Sequence, residues 1–136
     1  YICPVCKKRV TIGVMHRVQA LADRDNGSRP KNAPGYRSII PLNEVIAEAL
    51  KTGPNSKAVM NEYFKILFAL GPEFRVLLET PLEDIARVST PIISEAVRRV
   101  RENKVHISPG YDGEYGRIKI FEESEIKVNS RQMSLF

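Results

Sequence analysis

Two cysteines close to the start of the sequence, Cys3 and Cys6, form a C-x-x-C motif with Pro4 inside it and basic residues after it. A tight turn of this kind aims two thiolates at one metal ion, and nearby cations favour the thiolate form. A structural zinc ion takes four ligands, whereas the sequence contains no further cysteine. The motif therefore predicts one half of a zinc ribbon, with the other cysteine pair supplied from outside this sequence.

Two other interpretations of the cysteine pair remain open. A redox dithiol of the thioredoxin type usually follows a strand and opens a helix, and a pair of reduced thiols without a ligand is the simplest case. His16 and His106 are the only histidines, and neither lies at an established zinc-ligand spacing from the pair. The strand-like run Val10-Thr11-Ile12 after the motif favours the zinc interpretation.

The stretch 98–121 combines residue types that suit a nucleic-acid partner. It begins as a helix end rich in cations, continues as a loop of glycines and tyrosines, and ends in the charged-apolar alternation of a strand. Glycines let a backbone approach a bulky ligand, tyrosines stack on bases, and Arg and Lys balance phosphate charge. The alternative interpretation is a hairpin whose turn needs glycine and whose tyrosines cover a small core.

A second set of groups that could stack on bases and bind phosphate, Tyr36, Arg37 and Ser38, follows the long polar loop 23–35. Long loops in compact domains are often functional. The alternative there is a tyrosine packed at the loop exit. The two regions together give the candidate DNA-binding residues Tyr36, Arg37, Ser38, Arg98, Arg99, Arg101, Lys104, His106, Tyr111, Tyr115, Arg117 and Lys119.

The last residues of the sequence carry a Q-x-x-L-F pattern made by Gln132, Leu135 and Phe136. This pattern resembles the short motifs that dock on replication sliding clamps, in which the glutamine forms hydrogen bonds and the two apolar side chains fill a pocket. Each buried apolar side chain could contribute about 2–3 kcal/mol, less the cost of ordering the tail. The alternative is an end that folds back on the protein's own core.

No catalytic constellation is present in the sequence. There is no phosphate-binding glycine loop followed by Lys-Ser or Lys-Thr and no histidine cluster. The acids Glu122, Glu123 and Glu125 are more typical of a solvated face than of a two-metal site. The formal net charge of +5 and the isoelectric point near 9.4 favour an anionic partner. The sequence therefore predicts binding rather than chemistry.

Composition gives an expectation for the localisation of the protein, and the first residue gives one for the extent of the chain. No apolar run approaches the roughly 18 residues that cross a bilayer, and no signal-peptide pattern is present. We therefore expect no membrane partner and a cytoplasmic, nucleoid-associated protein. The sequence starts at Tyr1 rather than Met, so we expect it to begin inside a longer chain or to have been processed.

Hydrophobic periodicity and boundary signals predict helices at 13–22, 42–51, 56–70 and 92–103, and a further helix whose first residue is Pro81. Residues 73–78 form a short apolar run, and strand-like alternation is present at 105–107 and 117–121. Thr80 and Glu83 have the spacing of a capping box at the start of the helix that begins at Pro81. Arg98, Arg99 and Arg101 are expected to face outward. The expected buried side of the 56–70 helix consists of Val59, Met60, Tyr63, Phe64, Leu67 and Phe68.

The predicted fold is mainly α. It consists of half of a zinc ribbon followed by a small helical domain with a β-hairpin and an extended C-terminal tail. We expect a zinc-module remnant at 1–12, a helical DNA-binding domain with the Gly/Tyr hairpin at 13–121, and a tail with the clamp-binding motif at 122–136.

Three blocks of the sequence, CPVC…TIGVMHRV…ALADR, NAPGYRSIIPLNEVIAEAL and KVHISPGYDGEYGRIKIF, resemble the carboxy-terminal third of endonuclease Q. The resemblance runs from about Cys3 to Phe121. It implies a repair enzyme of archaea and some bacteria that nicks DNA 5′ to deaminated bases (uracil, hypoxanthine, xanthine) and abasic sites. In that family a PHP-type domain holds the catalytic divalent metals, and a four-cysteine zinc module and a helical domain follow it.

The resemblance implies that Cys3 and Cys6 are the second cysteine pair of the zinc module and that the catalytic domain has no counterpart here. The predicted function is a non-catalytic part that supplies DNA binding and sliding-clamp tethering. Its partners would be DNA with deaminated bases and a PCNA-type clamp, and its cofactor a structural zinc. Tyr36, Tyr111 and Tyr115 would stack on bases or fill the gap beside an extruded nucleotide.

Two alternatives to this function remain. The chain could be a protein–protein tethering module that docks on the clamp without DNA binding of its own. It could also be a helix-turn-helix regulator, which would require sequence-specific duplex binding by the helix that carries Arg98 to Arg101.

Overall fold

The computed structural model describes residues 1–25, 27–110, 113–122 and 125. Over these residues the chain has six helices and one two-stranded antiparallel hairpin. The prediction of a mainly α fold with a β-hairpin is therefore confirmed. The predicted tail residues 126–136, which include Gln132, Leu135 and Phe136, lie outside the described residues.

The chain forms two compact units. The first contains Tyr1–Gly35 and Pro109–Gly116, and the second contains Tyr36–Ser108 and the described residues from Arg117 onward. This division does not follow the predicted boundaries after residues 12 and 121, because the first helix and the hairpin loop group with the cysteine motif.

The first unit begins with a tight turn around the C-x-x-C motif. An antiparallel bridge between Ile2 and Arg9 closes the turn. Inside it, the Cys3 N–H donates to the Lys8 carbonyl at 2.9 Å and the Lys7 N–H donates to the Cys3 carbonyl at 3.0 Å. Lys7 has a left-handed φ of 59°, which costs a non-glycine residue roughly 1–2 kcal/mol. The hydrogen bonds of the turn hold Lys7 in this conformation.

Helix α1 (Val14–Leu21) follows the turn, as the sequence predicts. The Tyr1 hydroxyl and His16 Nε2 lie 3.0 Å apart, and the two rings meet edge-on with 5.1 Å between their centroids. No residue of α1 is buried among the described residues. The apolar face that the periodicity predicts, made of Val14, Val18, Leu21 and Ala22, is therefore uncovered there.

The second unit is a bundle of short helices: α2 (Leu42–Leu50), α3 (Lys57–Leu70), α4 (Glu73–Leu78), α5 (Leu82–Val88) and α6 (Pro91–Arg101). Helix α6 packs against α2, α4 and α5, and α3 packs against α2, α4 and α5. The ends of α2, α3, α5 and α6 lie within about two residues of the predicted ones, which is the ordinary spread of such boundaries, and the short apolar run 73–78 forms α4. The side chains with at most 1% exposure are Leu42, Val45, Ile46, Val59, Ile66, Val76, Leu77, Ile85, Ile93, Ala96, Val97 and Ile120.

The predicted buried side of α3 is partly wrong. Phe64 is 48% exposed and Phe68 is 90% exposed, whereas Ile66 is fully buried. Apolar residues surround most of this helix, so its sequence fits two overlapping stripes. Polar contacts favour the observed one, because the Tyr63 hydroxyl donates to Glu73 at 2.9 Å on the inward side of the helix.

The predicted capping box at Thr80 is not formed. The Thr80 hydroxyl donates backward to the Arg75 carbonyl at 3.2 Å, and the residue is buried. Helix α5 starts instead at Leu82, and the Pro81 carbonyl accepts its first hydrogen bonds, from Asp84 and Ile85. The hydroxyl of Thr80 is therefore used to end α4 rather than to begin α5.

The hairpin pairs β1 (His106–Ser108) with β2 (Arg117–Lys119). His106 lies opposite Lys119, Ile107 opposite Ile118, and Ser108 opposite Arg117. Both strands exist where the sequence predicts them, although β2 ends two residues earlier, at Lys119. All six strand residues are exposed.

Glu73 connects three helices of the bundle. One carboxylate oxygen accepts from the Leu42 N–H at 2.7 Å and the other accepts from the Tyr63 hydroxyl at 2.9 Å. This hydrogen bond to Glu73 is the main reason why the pKa of Tyr63 is raised. The carboxylate thereby satisfies an N–H at the start of α2 that has no partner within its own helix.

Replacing Glu73 with Ala should lower the free energy of unfolding by about 1–3 kcal/mol, because two polar groups lose their partner. Chemical denaturation followed by circular dichroism measures this change. The matched control is Glu79→Ala, which removes an exposed glutamate six residues later. Equal unfolding midpoints for the two variants would contradict the assigned role of Glu73.

Candidate nucleic-acid interface

The hairpin brings three of the predicted DNA-binding residues together. Side chains alternate along a strand, so the register places His106, Ser108, Arg117 and Lys119 on one side, which we term the basic hairpin face. Ile107 and Ile118 form the opposite side and remain 65% and 50% exposed. A cationic face raised on an exposed hairpin is suited to contact a phosphate backbone.

Glu122 lies beside this face. Its Oε1 lies 3.9 Å from His106 Nε2. The separation is too long for a hydrogen bond, so the contact is a loose ion pair that exists only when the histidine is protonated.

The loop between the strands belongs to the first unit. A Cβ atom at Gly110 would lie 2.5 Å from the Glu114 carbonyl oxygen and 2.6 Å from the Gly116 nitrogen. Both are backbone atoms, so this close approach requires glycine. Tyr115 is 98% exposed, in agreement with a stacking role and against the alternative in which it covers a core. Tyr111 lies outside the described residues.

The residues after the long polar loop are also exposed. Tyr36 is 85% exposed rather than packed at the loop exit, and Arg37 and Ser38 are exposed beside it in the sequence. The Arg37 guanidinium approaches the Leu78 carbonyl at 3.4 Å, a weak hydrogen bond. The alternative of a tyrosine packed at the loop exit is therefore not observed, and DNA contact stays a prediction for Tyr36, Arg37 and Ser38.

The arginines of α6 are held by contacts within the protein, and Arg99 and Arg101 do not face outward as predicted. Arg98 pairs with Glu95 at 2.6 Å and with Glu102 at 2.7 Å. Arg99 pairs with Glu95 at 2.9 Å and with Glu125 at 2.8 Å. Acids three or four residues away on one helix are natural partners for these cations. Both arginines are half-buried.

Arg101 is the most deeply engaged of these cations. It donates to the carbonyls of Leu77 at 2.9 Å, Val76 at 2.8 Å and Thr80 at 2.6 Å. Carbonyls at a helix end lack intrahelical partners, and the guanidinium supplies donors for those at the end of α4. Burial, followed by the nearby charge of Arg37, lowers the pKa of Arg101. Contact with DNA stays a prediction for Arg98, Arg99 and Arg101, and the predicted outward orientation is wrong for Arg99 and Arg101.

Lys104 lies beyond the end of α6 and is exposed. Its ammonium group pairs with Glu102 at 2.7 Å. Exposed pairs of this kind contribute little to stability and exchange partners readily. Lys104 thus stays a candidate for phosphate contact.

The ion pairs of α6 make the folded chain sensitive to acid. Hydrogen bonds from Arg98, and then from Arg99, lower the pKa of Glu95 from 4.5 to about 2. Because the folded pKa is depressed, the ionised carboxylate stabilises the folded chain above pH 4.5. This contribution is lost as the pH falls toward 2.

We expect the free energy of unfolding to fall between pH 4.5 and pH 2, and to fall less steeply in Glu95→Gln. Urea denaturation at a series of pH values measures both slopes. Glu83→Gln, which changes an exposed glutamate on α5, serves as the control and should keep the wild-type slope. Parallel slopes for wild type and Glu95→Gln would contradict the assigned ion pairs.

The cysteine turn fits half of a zinc site. Backbone N–H groups of Cys6 and then Val5 donate toward the Cys3 sulfur and lower the pKa of this thiol, which favours the thiolate that zinc requires. Cys6 is exposed and can reach the same ion. No third His, Cys, Asp or Glu completes a metal cluster within the part of the chain that the structure describes. The donor set therefore matches two of four ligands.

Comparison with known sequences finds one family model that matches part of the chain. Residues 41–104 match the family described as the MJ0043 C-terminal domain. The chain is 30% identical over 98% of its length to protein MJ0043 of Methanocaldococcus jannaschii, of which it spans 17%. It is 34% identical over 86% of its length to protein YqxK of Bacillus subtilis, of which it spans 27%.

The crystal structure of PfuEndoQ, a lesion-specific endonuclease from Pyrococcus furiosus, superposes with a TM-score of 0.74 at 40% identity. It covers 90% of this chain, which spans 30% of that chain. The resemblance to endonuclease Q is confirmed. A second endonuclease Q structure, in complex with a 27-mer duplex with an abasic lesion at its active site, gives a TM-score of 0.71 at 40% identity. It covers 92% of this chain, which again spans 30% of that chain.

These comparisons link the chain to DNA repair endonucleases. The chain spans less than a third of the length of each relative. No helix among the described residues is long and apolar enough to cross a membrane.

Proposed function

We propose that this chain is the non-catalytic C-terminal part of a DNA repair endonuclease that nicks 5′ to deaminated bases and abasic sites, and that it supplies DNA binding. The observation that carries the proposal is the 40% identity over 92% of the chain to endonuclease Q in complex with a duplex that has an abasic lesion. The extent of that match, 30% of the longer chain, leaves room for a catalytic domain elsewhere.

The basic hairpin face supports DNA binding at the level of residues. Arg117 and Lys119 stand on an exposed strand, where phosphate contact needs no rearrangement of the core. Tyr115 and Tyr36 provide exposed rings that could stack on bases or replace an extruded nucleotide. The paired state of the α6 arginines disfavours the helix-turn-helix alternative, in which that helix would read base edges.

Replacing Arg117 and Lys119 together with Ala should weaken DNA binding and its salt dependence. Two lost phosphate contacts make the slope of log K against log salt shallower by about 1.8, since each contact contributes roughly 0.9. Fluorescence anisotropy with a 27-mer duplex carrying an abasic lesion measures this slope. The control is Lys57→Ala/Lys65→Ala, which removes two exposed cations from α3. A wild-type slope in Arg117→Ala/Lys119→Ala would overturn the phosphate assignment.

We also propose that Gln132, Leu135 and Phe136 tether the protein to a PCNA-type sliding clamp. Support comes from the Q-x-x-L-F pattern alone, because these residues lie outside the described part of the chain. The competing proposal is a tethering module that has no DNA binding of its own.

Deleting residues 132–136 separates the two proposals. A DNA-binding chain should keep its affinity for the abasic duplex after the deletion and lose its affinity for the clamp. A pure tether should show no DNA affinity before or after the deletion. Surface plasmon resonance with immobilised clamp and with immobilised duplex measures both. Full clamp binding by the deleted chain would rule out the tail as the tether.

We further propose that Cys3 and Cys6 hold a structural zinc ion together with the first cysteine pair of the zinc module, which the full-length enzyme would supply. The lowered pKa of Cys3 and the closed turn around the motif support this role. The ion would stabilise the turn, and the chemistry of DNA cleavage would lie with divalent metals in the catalytic domain.

A further inference from the structure

The two strands of the hairpin belong to the second unit and expose both faces, so among the described residues they meet its helices where the chain enters and leaves the hairpin. On one side the chain leaves α6 through Asn103, which has a left-handed φ of 53°, and the Lys104 N–H donates to the Arg99 carbonyl at 2.8 Å. On the other side it returns into the core through Ile120 and Phe121, which are 1% and 4% exposed. Two short strands are marginally stable alone, so these attachments set the direction of the hairpin.

The carboxylate of one residue, Glu48, holds the segment Ile120–Phe121, through which the chain leaves the hairpin and enters the core. Glu48 Oε1 accepts from the Ile120 N–H at 2.6 Å and from the Phe121 N–H at 2.9 Å. Glu48 lies on α2, 72 residues from Ile120 in the sequence. Since Glu48 takes the Ile120 N–H, the strand pairing ends at Lys119. The carboxylate thus fixes the point at which the strand stops and the chain enters the core.

Arg99 holds the same point from α6. Its guanidinium donates to the Ile120 carbonyl at 3.1 Å and lies 4.7 Å from the centre of the Phe121 ring. Both backbone polar groups of Ile120 are therefore bound by side chains from two different helices. Glu95 and Glu125 orient the guanidinium through their ion pairs.

We propose that Glu48 is a positioning residue that aims the basic hairpin face at the DNA backbone, with Arg99 acting beside it. The proposal rests on the proposed DNA-binding function. Glu48 acts through Ile120 and Phe121, and Lys119 directly precedes the residues that it holds. Arg117 lies two residues further along the same strand.

The test compares Glu48→Ala with Glu48→Gln in the full chain. Glu48→Ala should bind the 27-mer abasic duplex about tenfold more weakly. Its salt slope should become shallower by about the same amount as in Arg117→Ala/Lys119→Ala. Glu48→Gln should recover most of the affinity and slope, because the amide oxygen can still accept both N–H groups.

Two controls distinguish a positioning role of Glu48 from an effect of the changed net charge or of a general loss of stability. Glu44→Ala removes an exposed carboxylate one turn earlier on α2 and changes the net charge equally, and it should bind as wild type does. The second control adds Glu48→Ala to Arg117→Ala/Lys119→Ala. If Glu48 acts through these cations, the added substitution should weaken binding by less than twofold, whereas a general loss of stability should weaken both backgrounds alike.

The outcomes distinguish this proposal from the proposed function. A wild-type salt slope in Arg117→Ala/Lys119→Ala would overturn the DNA contacts themselves. If that variant loses its slope while Glu48→Ala keeps wild-type affinity, the positioning role alone is overturned. Equal weakening by Glu48→Ala in both backgrounds, or failure of Glu48→Gln to recover binding, would also overturn the positioning role.

Discussion

Burial of one shared apolar core stabilises the second unit. Its longest described helix has 14 residues, and helices of that length are marginal alone in water. Each fully buried aliphatic side chain contributes roughly 1.5–3 kcal/mol, and all five helices supply at least one. Ile120 and Phe121 belong to the same core. The hairpin that precedes them is therefore fixed in space by the burial that folds the helices.

The number of cations counted from the sequence overstates the positive charge that a ligand would meet on the folded chain, because some arginines are paired within the protein. Arg98 and Arg99 are neutralised by acids on their own helix and by Glu125, and Arg101 is used to complete the end of α4. Composition counts these cations equally with Arg117 and Lys119, although only the latter pair stands on an exposed strand. The density of arginine on α6 thus serves the fold, whereas Arg117 and Lys119 lie on the exposed hairpin.

Local sequence patterns predicted the positions of the helices and strands better than they predicted which side of each helix is buried. Gly-Pro and Thr-Pro boundaries and 3.6-residue periodicity predicted five of the six described helices, and charge alternation predicted β2, because these signals are local. Residues 73–78, which form α4, showed only a short apolar run. The phase of α3 was missed since both stripes are apolar, and the capping box was missed since the Thr80 hydroxyl finds a partner in the preceding turn. The role of Glu48 has no sequence signal, because its partners lie more than 70 residues away.

Within the described residues the exposed hairpin is a two-stranded sheet, so each strand has one edge that pairs with no further named strand. A strand edge that shows apolar side chains such as Ile107 and Ile118 invites another chain to add to the sheet. The cations on β2 oppose such addition through mutual repulsion between copies. The side chains that suit a polyanion thus also protect the protein from self-assembly. A variant that lost Arg117 and Lys119 without covering the hairpin would leave its edges open to aggregation.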